Sequence, residues 1–200
     1  WKILSAISHP LIINDISFSP AASLGVSCFP TDGIDAQSLV RFADLAMYKA
    51  KREGGNCAVP YNAQMGQESH LRSQIAQRLR VAIEHNQLEM HYQPQITAAS
   101  GKLDGVEALL RWNDPVLGQV PPKNIIEAIE STELIHVLGK WVIDTTCAQI
   151  AKWRKAGRDV RVAMNVSARQ FRHPKLEEQI IAAINLNEFP PSLLEVEITE

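Results

Sequence analysis

Residues 88–112, LEMHYQPQITAASGKLDGVEALLRW, predict two β-strands joined by a polar turn that contains Gly101. In the first strand apolar side chains alternate with polar ones, which is the period of a strand buried on one side. The apolar run of the second strand is interrupted by Glu107 and closed by Arg111. A charged side chain in a buried strand is costly unless it is paired or bound to a metal. The second strand is therefore predicted to form the floor of a functional site rather than to serve packing alone.

The composition is that of a soluble globular protein with material for one large or two small domains: 200 residues, of which 46% are apolar and 21% are charged. A net charge of −2 gives no reason to expect nucleic acid or an anionic membrane as a partner. Cys28, Cys57 and Cys147 lack the spacing of a zinc site or a disulfide framework, so reduced thiols are expected. No apolar run approaches the roughly 18 residues of a membrane helix, and no signal peptide is expected within these residues. Because the chain begins and ends inside patterns, it is expected to be a piece of a longer protein.

The residues before Leu88 alternate short helical and strand patterns. We expect a helix over residues 1–10, a strand over Ala22–Phe29 and then an amphipathic helix that ends at Gly54 and Gly55. Residues 66–87 show a polar helical pattern with a narrow apolar seam. Such a seam suits a helix that lies between two domains or pairs with a partner chain, and it equally suits a helix that only packs; both interpretations stay open.

The residues after Trp112 alternate helix and strand. The predicted elements are a helix over Ile125–Leu134, a helix over Leu138–Arg154, a strand in which Val160, Val162 and Met164 alternate and which ends at Asn165 and Ser167, a helix over Pro174–Leu186 and a strand over Leu193–Glu200. Strands and helices in this order predict parallel βαβ units.

Five motifs resemble known families, in the right order along the chain. YQPQ at 92–95 with GVEALLRW at 105–112, NVSARQF at 165–171 and EVEITE at 195–200 resemble the EAL family, bacterial phosphodiesterases that linearise cyclic di-GMP. Upstream, SLGVSCFPTDG at 23–33 and FADLAMYKAKREGGN at 42–56 resemble the last part of a GGDEF domain, the diguanylate cyclase fold. Each motif alone is a weak signal, whereas the ordered set points to a tandem GGDEF–EAL signalling protein.

The resemblance implies an α/β fold in three parts. Residues 1–64 would be the C-terminal part of a GGDEF domain, residues 65–87 a linker helix, and residues 88–200 the N-terminal half of an EAL domain. Since the EAL fold is a modified TIM barrel of the (β/α)8 type, residues 88–200 would form its first half. The first strand of that barrel is expected to run antiparallel to the others.

The resemblance also assigns a site. Glu107, Asn165 and Glu197 match metal ligands, and their oxygen donors suit Mg²⁺ or Mn²⁺, of which two ions are expected in the complete barrel. Taken singly, a glutamate in a strand often faces solvent and an asparagine often forms a turn.

The remaining matches concern the substrate and the active-site loop. Gln93 and Arg111 match residues that hold the phosphate region of the ligand, and Leu109 matches a residue that packs beside it. Glu200 matches a glutamate that supports an active-site loop.

Two regions depart from the family patterns. In the cyclase part, Lys51 matches the first of two basic residues that hold nucleotide phosphates, but the second position is Gly55. One charge-assisted phosphate contact is therefore missing, and this part is expected to be inactive or regulatory. In the EAL part, residues 125–133 lack the phenylalanine, proline and alanine that the family usually shows, and Glu133 stands where glycine is common.

The sequence thus predicts an EAL-type phosphodiesterase that hydrolyses cyclic di-GMP to linear pGpG, although residues 1–200 alone are expected to be inactive. The alternative is a non-catalytic cyclic di-GMP receptor that signals through the helix at 66–87. A bifunctional protein that also makes cyclic di-GMP is a third hypothesis. The resemblance implies a cytoplasmic location, a homodimer as one possible state, and membrane attachment only through segments before residue 1.

Overall fold

The computed structural model describes residues 2–199, and the chain divides into two compact units, Trp1–Leu71 and Arg72–Glu200. The division falls inside a continuous helix, Ala63–Glu84. The predicted limits of the three parts, at residues 64 and 87, stay a prediction. Among residues 2–199, no helix is long and apolar enough to cross a membrane.

The first unit contains two small sheets. Its elements are α1 (Lys2–Ile7), β1 (Leu11–Ile13), β2 (Ile16–Phe18), β3 (Leu24–Val26), α2 (Ala36–Arg52), β4 (Ala58–Pro60) and the beginning of α3 (Ala63–Glu84). β1 and β2 form an antiparallel hairpin, and β3 pairs with β4 in parallel. Since α2 connects the parallel pair, β3, α2 and β4 make one βαβ unit.

Helix α2 lies directly against β3, and one glycine makes that approach possible. A Cβ atom on Gly25 would collide with the carbonyl oxygen of Ala43 in α2. The strand predicted over Ala22–Phe29 is shorter than expected. Its last residues instead belong to a turn in which the Cys28 carbonyl accepts from the Asp32 N–H, at 2.8 Å, and the Asp32 carboxylate accepts from the Cys28 N–H, at 2.6 Å.

The second unit is one sheet with helices. After the end of α3 its elements are β5 (Leu88–Ile96), β6 (Leu103–Asp114), β7 (Gly118–Val120), α4 (Pro122–Ile129), α5 (Leu134–Lys155), β8 (Val162–Ser167), α6 (Ala168–Phe171), α7 (Leu176–Asn187), a 3₁₀ turn (Pro191–Leu193) and β9 (Leu194–Thr199). The five-stranded sheet has the order β5-β6-β8-β9, with β7 beside β6. β5 runs antiparallel to β6, whereas β6, β8 and β9 are parallel, so the predicted antiparallel first strand and the βαβ order are confirmed.

The helix boundaries around residue 130 were predicted wrongly. Leu134 begins α5 and does not end the preceding helix, which stops at Ile129. The reason is a turn at Thr132, whose hydroxyl donates to the Ile129 carbonyl at 2.8 Å and accepts from the Leu134 N–H at 3.3 Å. Periodicity cannot reveal this break, because apolar residues continue on both sides of it.

The core of the second unit has two clusters. One lies among α3, α4, the first half of α5 and the end of β6, and it contains the fully buried Trp112 and Leu79. The other lies between the sheet and helices α5 and α7. Ala163 in β8 is as buried as Val162 and Met164, although it lies on the opposite face, because β6 and β9 flank it on both sides. The predicted alternation therefore holds for the direction of the side chains but not for their burial.

Candidate active site

The sheet of the second unit has one face covered by helices and one polar face. Val106, Ala108, Val162, Met164 and Val166 belong to the cluster beneath α5 and α7. Because side chains alternate along a strand, the residues between them lie on the opposite face. Every predicted metal and substrate residue within 88–199 lies on this opposite face: Gln93, Glu107, Leu109, Arg111, Asn165 and Glu197.

Register brings the three predicted metal ligands together. Asn165 on β8 is the direct partner of Glu197 on β9. The Asn165 amide nitrogen donates a hydrogen bond to a Glu107 carboxylate oxygen at 2.7 Å, so β6 and β8 are joined through these side chains. All three side chains are half-buried. Glu107, Asn165 and Glu197, called the trio below, therefore lie on one face of three adjacent parallel strands. Asn165 and Glu197 lie in the carboxyl-terminal halves of β8 and β9, the end at which α/β barrels hold their active sites.

The predicted substrate residues border this trio. Gln93 is the cross-strand partner of Glu107 and is exposed. Leu109 and Arg111 follow Glu107 along the same face of β6, so Arg111 lies about 13 Å from Glu107 along the strand. The half-buried Arg111 side chain donates to the Leu110 carbonyl at 2.8 Å.

Two predicted residues are not part of this face. Lys51 is an exposed residue in the last turn of α2, in the first unit. Gly55 follows that helix with φ +72°, and its N–H donates to the Ala50 carbonyl at 3.0 Å, so it ends the helix in a conformation that glycine favours. Glu200 lies outside the described residues.

The donor set fits a hard divalent cation. Carboxylate and amide oxygens are the ligands that Mg²⁺ and Mn²⁺ take in proteins, and they do not select zinc or copper. Within residues 2–199, no three histidine, cysteine or carboxylate side chains form a metal cage. The trio adds two carboxylates and one amide, so a six-coordinate ion held here needs further ligands from water, substrate or other residues.

Sequence reasoning missed the residues that support the trio. Arg161, directly before β8, pairs with Asp104 at 2.7 Å and with Glu195, so one guanidinium links the beginning of β8 to β6 and β9. Ser167 and Gln170 form a reciprocal capping box at the end of β8. A serine followed three residues later by glutamine is a recognisable sequence signal for this cap.

Comparison with known families agrees with this architecture. Residues 76–200 match the model of the EAL domain, and residues 2–57 match the model "Diguanylate cyclase, GGDEF domain". The chain belongs to the EAL domain family and carries GGDEF sequence before the EAL domain. The predicted tandem order is therefore confirmed.

Several curated relatives match over the whole chain. A protein of Pseudomonas aeruginosa, "Bifunctional diguanylate cyclase/cyclic di-GMP phosphodiesterase MucR", is 37% identical over 200 residues, 100% of this chain and 29% of the relative. An Escherichia coli protein, "Cyclic di-GMP phosphodiesterase PdeR", is 36% identical over 202 residues, again 100% of this chain and 30% of the relative. The chain thus spans less than a third of the length of either relative.

A solved structure supports the fold of the EAL part. "PaMucR Phosphodiesterase, c-di-GMP complex" is 41% identical, with a TM-score of 0.61, and the match covers 64% of this chain and 52% of that one. This similarity and the strand order identify the sheet as part of a TIM-like barrel, as the sequence predicted.

Proposed function

We propose that the full-length protein is a phosphodiesterase that hydrolyses cyclic di-GMP to linear pGpG and depends on two Mg²⁺ or Mn²⁺ ions. The observation that carries the proposal is the contact between Asn165 and Glu107, with Glu197 paired to Asn165 in the next strand. The names of two relatives, MucR and PdeR, and the ligand of the MucR structure point to the same substrate.

In this proposal Glu107, Asn165 and Glu197 hold the cations through their oxygen atoms. The bound cations would activate a water for in-line attack on phosphorus and would stabilise the leaving oxygen. The hydrogen bond from Asn165 holds the Glu107 carboxylate in one orientation, and it directs the Asn165 carbonyl oxygen away from Glu107. The protein thereby fixes the direction of the ligands before the substrate arrives.

The substrate would lie along the polar face of β5 and β6. The guanidinium of Arg111 is planar and permanently charged, so it can donate hydrogen bonds to two phosphate oxygens at once. It would bind the phosphate region together with Gln93. Leu109, between Arg111 and Glu107 on this face, would pack against the ligand beside the scissile phosphate.

The GGDEF part would be inactive as a cyclase, or regulatory. Lys51 supplies one of the two expected phosphate contacts, whereas Gly55 has no side chain and holds the helix end. An arginine at φ +72° would be strained, so the glycine fits the helix end at the cost of the phosphate contact.

A second candidate is a receptor that binds cyclic di-GMP without hydrolysis and signals through α3. One observation favours it: the second half of α3 packs in the same core cluster as Trp112, which follows Arg111 on β6. Movement of this helix would therefore reach the strand that carries the predicted phosphate-binding arginine.

One experiment separates the two candidates. The full-length protein is incubated with cyclic di-GMP and Mg²⁺ or Mn²⁺, and the linear product is followed by chromatography. Glu107→Ala is expected to lower turnover more than about 100-fold, because even residues that only orient metal ligands cost about 10–100-fold. Glu177→Ala, at an exposed acid in the first turn of α7, is the control and should be unaffected. Tight ligand binding without turnover by the unmodified protein would establish the receptor instead.

A further inference from the structure

The polar face ends in a turn that is held by one buried side chain, Gln170. We propose that Gln170 is a positioning residue, which fixes the carboxyl end of β8 and thereby the metal ligand Asn165. The inference rests on the proposed function, since it assigns Asn165 to cation binding. Gln170 itself lies on α6, and its side chain is hydrogen-bonded to Ser167 and Ile135.

The Gln170 side chain makes three hydrogen bonds at this turn. Its carbonyl oxygen accepts from both the N–H and the hydroxyl of Ser167, each at 2.9 Å. Its amide nitrogen donates to the Ile135 carbonyl in α5 at 3.1 Å. The Ser167 hydroxyl also accepts from the Gln170 N–H at 3.3 Å. Gln170 thus connects the last residue of β8 to the helix that covers the sheet.

The residues around Gln170 leave room for its side chain. Gln170 is 8% exposed, which is unusual for a glutamine. It lies against Gly139 of α5, where an added Cβ atom would collide with the Gln170 amide nitrogen. A glycine inside a helix is less stable than an alanine. Gly139 therefore lowers the stability of α5 slightly, but it leaves room for the Gln170 amide.

The hydrogen bonds of Gln170 lie beside a cavity. A mainly apolar cavity of about 230 Å³ has both Asn165 and Gln170 in its wall, with Leu138, Val142 and Leu176 among its other lining residues. A strand end beside empty space is not held by close contacts as a core strand is. Ser167 is two residues after Asn165 on the same face, so fixing the Ser167 N–H limits the directions that the Asn165 amide can take.

The test compares the cation affinity of full-length variants with that of the unmodified protein. Gln170→Leu keeps the size of the side chain and removes its hydrogen bonds. We expect it to weaken Mn²⁺ binding, measured by electron paramagnetic resonance, by about tenfold, as is usual when a residue that orients a metal ligand is lost. Turnover should fall at limiting Mn²⁺ and recover when the ion concentration is raised. The matched control is Asn187→Leu in α7, which also removes a hydrogen bond from a side-chain amide nitrogen to a backbone carbonyl, that of Ala183 at 2.8 Å. The Mn²⁺ affinity of this control should not change.

A second route keeps the inference testable if Gln170→Leu does not fold. Gly139→Ala should displace the Gln170 amide and weaken Mn²⁺ binding in the same direction, although alanine favours the helix. In a Gln170→Ala background the Gly139→Ala change should have no further effect, because the group that it displaces is gone.

The outcomes distinguish this inference from the proposed function. If the unmodified protein binds Mn²⁺ and turns over cyclic di-GMP while Gln170→Leu and Gly139→Ala behave like Asn187→Leu, the positioning role is wrong and the phosphodiesterase stands. An unmodified protein that binds no Mn²⁺ and shows no turnover overturns both.

Discussion

At the scale of single residues, Asp114 shows how a buried charge is accommodated. It is almost completely buried at the end of β6, and its carboxylate accepts from Arg78 at 2.7 Å and from the N–H groups of Val116 and Leu117, each at 2.8 Å. Burial by itself would raise the pKa of Asp114, but the hydrogen bonds from Arg78 and from the two backbone N–H groups outweigh it, and the pKa is lowered. The ionised form is therefore the one that the fold stabilises.

Asp114→Asn should destabilise the second unit by about 2 kcal/mol near neutral pH. Breaking a buried ion pair costs about 3–5 kcal/mol, and solvent screening reduces this because the Arg78 side chain is 35% exposed. Since the folded pKa is lowered, the contribution of Asp114 is present above the unfolded pKa, about 3.9, and is lost as pH falls through the folded pKa. The difference between Asp114→Asn and the unmodified protein should therefore shrink in acid.

Hydrogen exchange of the peptide around residues 103–117 in the full-length protein measures this local stability. Asp144→Asn removes an exposed pair with Lys140, at 2.7 Å, and serves as the control with an expected change below about 1 kcal/mol. Equal effects of the two variants would contradict the role given to Asp114.

His136 supplies a second pH dependence, again favouring the deprotonated form, in a higher pH range. Burial, the neighbouring His173, with ring centroids 4.3 Å apart, and Arg169 lower the pKa of His136, while Glu133 raises it by a smaller amount. Because the unfolded chain takes up a proton near pH 6.5 and the folded chain does so only at lower pH, stability is full above pH 6.5 and declines as pH falls towards the folded pKa.

His136→Gln is expected to flatten this decline, whose slope for one group is at most about 1.4 kcal/mol per pH unit. Urea unfolding of the full-length protein at several pH values between 7 and 5 measures it. His9→Gln, at an exposed histidine of the first unit, is the control. An unchanged slope in His136→Gln would show that another group titrates.

The role of a single residue was predictable from the residue pattern only where that residue interrupts the pattern. Glu107 stands out because it is an acid inside an apolar strand. Gln170 and His173 break no pattern, and their partners in α5 are distant in the sequence, so only the folded chain brings them together. The SxxQ cap was the single local signal for Gln170.

At the scale of elements, α3 consists of two different halves. Leu79 is fully buried among Trp112 and its neighbours, whereas Leu71 is 39% exposed in the first unit. The narrow apolar seam predicted from the sequence therefore includes both buried and exposed residues. Periodicity identified the helix, but it did not show that the seam becomes part of a domain core after Leu71.

Leu79→Ala should destabilise the second unit by about 2–5 kcal/mol, the usual result of removing a fully buried leucine side chain. Leu71→Ala should change its stability by less than about 0.5 kcal/mol. Hydrogen exchange of residues 88–96 and 103–114 in the full-length protein reports both. If Leu71→Ala has the larger effect on these strands, the assignment of the two halves of α3 is wrong.

The other elements show why strand and helix order was predictable and boundaries were not. The alternation in β5 and the apolar run of β6 predicted both strands and the polar face of the sheet. The break at Thr132 depends on side-chain hydrogen bonds, and the burial of Ala163 depends on a parallel neighbour on each side. Neither contact leaves a periodic signal.

At the scale of the whole molecule, the sheet of residues 88–199 has an open edge. Val196 and Ile198 of β9 lie on the face that helices cover elsewhere, yet both are exposed, and Leu186 of α7 is exposed as well. An edge strand with exposed apolar side chains is a surface that pairs or aggregates unless it is covered. In a TIM-like barrel the next strand and helix cover it.

We expect residues 1–200, produced alone, to show no hydrolysis of cyclic di-GMP, whereas the full-length protein turns it over. Glu107, Asn165 and Glu197 lie together in the fragment, but they provide only part of the coordination sphere that a divalent cation needs, and the open edge at β9 leaves their strands unsupported. Chromatography of the linear product, at equal protein and Mn²⁺ concentrations, measures both proteins, with Glu107→Ala of each as the control. Turnover by the fragment that vanishes in its Glu107→Ala variant would show that the sheet of residues 88–199 suffices for catalysis.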